Sequence, residues 1–547
     1  MDFAQVRAIV EKECDYLADT SCIKIYIGYS PENSSGDRLF NLLRNEVENT
    51  AVAARIIRTG SFGCYDFEPI LVVDTPGRSV LLCLNANPEM AREIEADIFA
   101  AGMAKRGGEW FLLSVENKEH IPYISNLPLF SLQKRILLRN CGWIDPGSTA
   151  HYILGSAGYT GLSRALRKNR RELMELFYSS PFKEYVHAGV SSLDQWSEFV
   201  QSESSDKRLV CNAVDPDPGN RLLLESDPHS ILEGILISAF TLGTSHCTMY
   251  VRSGTRVAAN LNKLLGAMET YNLVGSGILD SAFSAQIEVI EIPETLRAGQ
   301  ESESLRCIRQ SRAPHILPAF PGADKAMSAR VITTDPEWMA CVPALFLTDE
   351  ELRTGFRSSR DGPTRLITLS GKIGRRVTAE VPCGVSIRNT IEDIGGSIIS
   401  GKAFKALQIG YPAGSLLDPD ALDSCIHCRT SGEACSGSAS IEIMDSDDDI
   451  VEMARIRMET VNDQSCGKCL LCFEGSRQMF HTIERIAGGT GKLRDLDFLT
   501  ELGEEMKAGC LCSFGRTAPD FVLSSIELFR EEYEQRIQSS SCNVQTS

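Results

Sequence analysis

The sequence contains no run of 18 apolar residues, so no membrane-spanning helix of ordinary length is expected. Its start, Met1-Asp2-Phe3 followed by Glu11, Glu13 and Asp15, lacks the cationic stretch and apolar run of a secretory signal. Histidine is scarce, with eight in 547 residues and no pair at metal-binding spacing. There is no Gly-x-Ser-x-Gly elbow either, so hydrolase readings have no support. Positive charge is also short. Against 73 acidic residues there are 55 Lys and Arg, a net charge of −18 that attracts neither phosphate backbones nor anionic membranes. Nucleic acid is therefore not an expected partner. What is present, 43% hydrophobic and 23% charged residues, suits a folded, soluble, cytoplasmic protein. At about 150 residues per domain the length implies roughly three to four domains.

The apolar pattern divides the chain. Strand-like runs at 23–27, 70–73 and 80–84 alternate with helical stretches at 38–47 and 88–99, the rhythm of a small α/β unit over residues 1–125. Residues 126–180 read as a helical connector with turns at Asp145-Pro146-Gly147 and Gly158, and 181–358 as a second α/β domain with a helix over 230–242. A polar linker at 358–363 leads to 363–424, where 365–370 and 377–381 predict a hairpin, 386–394 a helix and 406–409 a strand, the order of a β-grasp module. Residues 425–445 read as a cysteine-containing loop, and the acidic run Asp445, Asp447, Asp448, Asp449 as a solvated connection. From 446 to 547, apolar positions such as Ile483, Ile486, Leu496, Leu499, Phe521, Val522 and Tyr533 predict a four-helix bundle. Gly488 to Lys492 lacks the spacing of a phosphate loop and reads as an interhelical turn.

Nineteen cysteines are too few for a disulfide scaffold, and their clustering points to metal. Cys466, Cys469 and Cys472 form C-x2-C-x2-C at the start of a helix, and Cys512 precedes the last helix. Three close thiolates at a helix N-terminus with a distant fourth suit a [4Fe–4S] cube. Zinc, which favours two C-x2-C pairs, and four buried structural cysteines are the alternatives. A second group, Cys425, Cys428 and Cys435 with His427 among them, lies in a Gly- and Ser-rich loop. It reads either as a zinc or additional cluster site or as a loop of reduced thiols. Cys510 reads as a buried neighbour of the cluster.

The run Ser465-Cys466-Gly467-Lys468-Cys469, with Cys472, Glu474-Gly475 and Cys512, resembles the SCGKCxPCREG…C segment of one family. That family is the flavin- and cluster-bearing, NADH-oxidising subunit of respiratory complex I, shared with soluble NAD-linked hydrogenases and formate dehydrogenases. Cys211-Asn212-Ala213, Asp217-Pro218-Gly219, Asp227-Pro228-His229 and Glu233-Gly234 resemble its CNADEGDPG…LEGDPH…EG pattern. Leu369 to Lys372, Val381-Pro382 and Asp393 to Gly396 resemble its β-grasp module, and Leu138 to Gly142 with Ile144-Asp145-Pro146 its lead-in. The likeness runs from about 126 to 536. It implies a Rossmann-like flavin-type domain, a β-grasp module and a cluster-bearing helical bundle, preceded by a thioredoxin-like domain like that of the hydrogenase-type members.

Two of the family's patterns are altered. After Thr59-Gly60 the thioredoxin-like domain offers Ser61 and Cys64 where the family has two cysteines, so no [2Fe–2S] centre is expected. The flavin-wrapping stretch GRGGAGFPTGLKW becomes Tyr185 to Gln195, with Gly189 its one glycine and Gln195 in place of the lysine before Trp196. Residual flavin positions are Gly189, Asn212, Asp215, Glu301, Thr333 and Thr334. Backbone N–H groups reach a phosphate closely only where side chains are absent, so FMN binding and NADH oxidation are expected to be lost. The expected function is an electron-transfer subunit of a multisubunit oxidoreductase with one [4Fe–4S] cluster. A working FMN-dependent NAD(P)H dehydrogenase and a scaffold with a non-relaying cluster are the alternatives.

Overall fold

In the computed structural model every residue is described except 20, 50–52, 78–79, 88–108, 113–123, 181–185, 188–189, 203–206, 215–216, 293–330, 349–350, 352–363, 399–400, 411–413, 427–438, 466, 468, 511–512 and 544–547. The expected helix at 88–99 and linker at 358–363 fall wholly outside this set.

The first sheet is built from β1 (Ile23–Gly28), β2 (Ala54–Thr59), β3 (Ile70–Asp74), β4 (Leu81–Leu84) and β5 (Glu109–Leu112), in the order β2-β1-β3-β4-β5. β1 and β2 are parallel, joined through the Ser34–Asn49 helix, and the remaining pairs are antiparallel. The unbroken apolar run of β3 reflects burial on both faces. Leu71 and Val73 pack with Leu39 and Leu43 of that helix, whereas Ile70 and Val72 turn toward Leu129, Phe130, Ile367 and Leu369. The Phe3–Glu13 helix, capped by Asp2, places Val6 and Val10 in the core of the next domain.

That next domain has short helices at Thr149–Gly155, Thr160–Ala165 and Arg170–Ser179, then a two-residue hairpin, β6 (Val186–His187) with β7 (Val190–Ser191). A four-stranded parallel sheet follows: β8 (Arg208–Ala213), β9 (His246–Arg252), β10 (Gln286–Ile292) and β11 (Val331–Thr334), in the order β10-β9-β8-β11. The Pro228–Leu242 helix is buried along nearly its whole length beneath it. Gly234 lets it approach the Pro336–Cys341 helix, because a Cβ there would lie 1.8 Å from the Met339 carbonyl oxygen.

The third sheet contains the expected hairpin, β12 (Thr364–Gly371) with β13 (Val377–Pro382), and β14 (Phe404–Ile409) with β15 (Ser415–Leu417). At its centre is β16 (Ala439–Asp445), parallel to β12 and antiparallel to β14. The stretch 425–445 is thus not loop throughout. The acidic run is not a simple solvated connection either: Asp445 is buried, and Asp449 caps the Ile450–Gln464 helix by accepting from the Glu452 N–H at 3.1 Å. Four long helices, Ile450–Gln464, Leu470–Ala487, Leu493–Gly509 and Asp520–Asn543, pack around Met458, Ile483, Leu499 and Phe521, joined by Ala406, Leu416 and Met444 of the sheet. The Gly488 to Lys492 stretch is the turn between the second and third.

Candidate functional site

Cys469 is the N-cap of the Leu470–Ala487 helix, and Cys472 lies in its first turn. Both sulfurs therefore sit at the positive end of the helix dipole, where thiolate charge is favoured. Gly467 has φ of 74°, a conformation that costs little without a side chain, which accounts for its place between the first two cysteines. Cys510 ends the Leu493–Gly509 helix, 5% exposed, with its N–H bonded to the Met506 carbonyl at 3.0 Å. Gly515 keeps the Cys472 and Cys510 side chains together, since a Cβ there would lie 3.2 and 2.9 Å from theirs. A hydrogen bond from Cys510 pulls the Cys472 thiol down to about 6 against the effect of burial, with Ser465 adding to it. Cys510 is pushed up in return, chiefly by the same bond. Cys469, Cys472 and Cys510 thus converge, while Cys466 and Cys512 lie outside the described residues. Cys510 is thus the buried neighbour expected from the sequence, while its hydrogen bond to Cys472 is not legible in the spacing, which does not say toward which side a thiol at a helix end points. Beside these thiols Leu470 is 76% exposed and Phe473 37% exposed.

At the flavin-type sheet, Asn212 lies near the C-terminal end of β8 and its Oδ1 accepts from the Val214 N–H at 3.3 Å. Thr333 and Thr334 stand in register with Val210 and Cys211, and the Thr334 hydroxyl donates to the Val210 carbonyl at 3.1 Å. Gly189, Asp215 and Glu301 lie outside the described residues. In the hairpin before the sheet, Val186 pairs with Ser191 and His187 with Val190. Asp217 caps the Pro218–Ser226 helix, accepting from the Asn220 N–H at 2.9 Å and its Nδ2 at 2.7 Å.

The remaining motifs form a buried polar network. Asp227 accepts from Asn140 Nδ2 at 2.7 Å and from Ser230, and Arg139 donates to the Ser230 hydroxyl at 3.0 Å. Glu233 accepts from the Tyr152 hydroxyl at 2.6 Å and from the Tyr159 and Leu162 N–H groups at 2.9 and 2.8 Å. His229 stacks on Tyr152, bonds through Nδ1 to the Tyr159 hydroxyl at 2.9 Å, and is driven down to about 3 by burial, so it stays neutral.

In the first domain Ser61 donates to Glu68, which also accepts from the Ser30 N–H at 2.6 Å, while the Gly63 N–H donates to the Ser61 oxygen at 2.9 Å. Cys64 is buried, its thiol pushed up to about 12 by burial. Among the described residues no three His, Cys, Asp or Glu side chains, Cys469, Cys472 and Cys510 included, are placed as a group that could hold a metal. In the second cysteine group, Cys425 is exposed and free, and Cys428 and Cys435 lie outside the described residues. Among the described residues no helix is long and apolar enough to cross a membrane.

Residues 452–536 match the family described as the NADH-ubiquinone oxidoreductase-F iron-sulfur binding region, and residues 187–332 the Nuo51 FMN-binding domain. The NADP-reducing hydrogenase subunit HndC of Solidesulfovibrio fructosivorans is 33% identical over 416 residues, 75% of this chain and 85% of that protein. An NADH-quinone oxidoreductase subunit of Escherichia coli is 28% identical over 397 residues, 71% of this chain and 89% of that protein. A chain from the crystal structure of an air-oxidised NAD+-reducing [NiFe]-hydrogenase superposes with a TM-score of 0.57 at 19% identity, covering 98% of this chain and 91% of that one. At that identity it is a likeness of fold.

Proposed function

The chain belongs to the family of NADH-oxidising, flavin- and iron–sulfur-bearing subunits of complex I and NADP-reducing hydrogenase, and from that premise we propose that it relays electrons through one [4Fe–4S] cluster without flavin chemistry of its own. Cys466, Cys469, Cys472 and Cys512 would hold the cluster, which when bound exchanges single electrons with neighbouring centres. The observation that carries this reading is the contrast between two sites. Cys469 and Cys472 stand at a helix N-terminus beside Cys510, whereas the position of the glycine-rich cradle is taken by the paired strands β6 and β7. Backbone groups engaged with each other across a hairpin are not free to wrap a flavin phosphate.

Further support comes from the polar groups near the flavin position. Asn212 accepts from the Val214 N–H two residues on, Thr334 donates to the Val210 carbonyl of the neighbouring strand, and Asp217 is occupied as a helix cap. Engaged in this way, these groups support the reading that FMN is not held here. The first domain, which we read as thioredoxin-like from its strand order, has a Ser61–Glu68 hydrogen bond where cluster thiolates would stand. Its role is docking. With no substrate site of its own, the subunit takes and passes electrons through partner proteins in a cytoplasmic, multisubunit oxidoreductase. The apolar surface of Leu470 and Phe473 beside the thiols suits such a contact.

The match of 187–332 to an FMN-binding domain favours a second reading, a working FMN-dependent NAD(P)H dehydrogenase. Anaerobic purification with iron and flavin analysis decides between them. The proposal expects about four irons per chain, no stoichiometric FMN, loss of iron in Cys512→Ser and its retention in Cys510→Ser. Stoichiometric FMN, or viologen reduction by NADH with this subunit alone, would put the second reading first.

A further inference from the structure

Cys510 has no place among the four cluster ligands, yet the bundle turns it onto one of them. Cys472 lies in the first turn of the Leu470–Ala487 helix, and Cys510 ends the Leu493–Gly509 helix. The two are 4% and 5% exposed and belong to the same apolar core. Cys510 is hydrogen-bonded to both Cys472 and Cys469, and the bond to Cys472 weighs more. The Ser465 hydroxyl also meets the Cys472 sulfur, at 3.6 Å.

Gly515 shows how closely the two side chains are held. Its φ lies outside the left-handed region, so its backbone does not call for glycine. A Cβ there would meet the Cys510 Cβ at 2.9 Å, the Cys510 Sγ at 3.1 Å and the Cys472 Cβ at 3.2 Å, so it is the thiol pair that excludes a side chain. With both Cβ atoms gathered around one point and the sulfurs hydrogen-bonded, rotation of the side chains suffices to reach the Cβ separation of about 3.5 to 4.5 Å that a disulfide demands. The surface beside the pair is open, with Leu470 76% exposed and Cys469 half-buried, which gives a small oxidant a short path.

We propose that Cys510 is the resolving thiol of Cys472: in the cluster-free chain hydrogen peroxide closes the pair into a disulfide, which withholds Cys472 from iron until a thiol reductant reopens it. Peroxide first oxidises the Cys472 sulfur to its sulfenic acid, leaving a molecule of water. The Cys510 sulfur then attacks that sulfur. The S–S bond forms, the S–O bond breaks, and the hydroxyl leaves with the Cys510 proton as a second water, a pair of electrons having passed from the two thiols to the peroxide. Without Cys510 the sulfenic acid meets further peroxide and becomes a sulfinic acid, which thiols do not reverse. The bond forms from the two cysteines alone; only its consequence for loading rests on the reading of Cys472 as a cluster ligand.

The test takes the full-length chain, stripped of iron by a chelator under reducing conditions, freed of reductant and treated with hydrogen peroxide. Mass mapping of the unreduced digest should find the Cys472 and Cys510 peptides joined. Iron loading should be blocked in the treated chain and restored in full by dithiothreitol. Cys510→Ser given the same treatment should carry a sulfinic acid at Cys472 and should not recover its loading with dithiothreitol. Cys510 still open to alkylation after peroxide, Cys472 joined to Cys469 instead, or full recovery of Cys510→Ser would each overturn the proposal. The joined peptides in a chain that takes no iron even when reduced would uphold the disulfide and tell against the cluster.

Discussion

Single residues decide whether a buried charge holds the domains together or strains them. Glu380, on β13, is fully buried and accepts from the Leu137 and Leu138 N–H groups at 2.7 and 3.1 Å and from the Thr364 hydroxyl at 2.5 Å. Burial raises its carboxyl from 4.5 to about 7 despite those donors. The folded state therefore keeps a proton that the unfolded chain has released. The resulting stability is fully present below pH 4.5 and is lost as pH rises toward 7, a change on the order of 3 kcal/mol. Denaturant titrations across that window should show stability falling with pH, and Glu380→Gln should flatten the slope. An unchanged slope in the variant would assign the effect elsewhere. The sequence showed Glu380 only as one position of a strand. The carboxylate matters because residue 137, far off in the chain, is folded against it.

Elements differed in how far they could be read. The helix at Pro228–Leu242, the β12–β13 hairpin and the four bundle helices follow from periodicity, since each buries a stripe or face large enough to outweigh local preferences. β16 was missed because its alternation is brief and lies between a Gly- and Ser-rich segment and an acidic run, and its central place comes from pairing on both edges. The Asp227-Pro228-His229 and Glu233-Gly234 motifs were read as family markers, and the fold makes them joints between the buried helix and the connector. Glu233→Ala would leave the Tyr152 hydroxyl and the Tyr159 and Leu162 N–H groups without their acceptor. At about 1 to 3 kcal/mol for each unpaired buried group, the variant should melt many degrees lower or fail to accumulate. A melting temperature within a few degrees of wild type would mean that the connector is held by packing alone.

On the scale of the whole molecule, the first domain is clamped to the connector and to the third sheet. Its Gly60 N–H donates to the Ile144 carbonyl at 3.3 Å, and its Phe62 and Gly63 carbonyls accept from Arg135 at 3.0 Å and from the Thr378 N–H at 2.8 Å. Asp66 pairs with Arg376 across the same boundary, and Tyr65 meets Thr378 at 3.1 Å. The loop after Thr59 is thus a backbone fastener between the domains. Gly63 is the narrowest point of that fastener, with φ of 84° and room for no side chain, because a Cβ would lie 2.4 Å from the Thr378 carbonyl oxygen. Gly63→Ala must both strain its backbone and push β13 away. The helical bundle has its own core, so the cluster should survive this loosening. Limited proteolysis should therefore release the N-terminal 125 or so residues from the variant much faster than from wild type, with iron content unchanged. Equal cleavage rates would show that the fastener does not hold the domain, and iron lost together with the domain would show that the bundle depends on it.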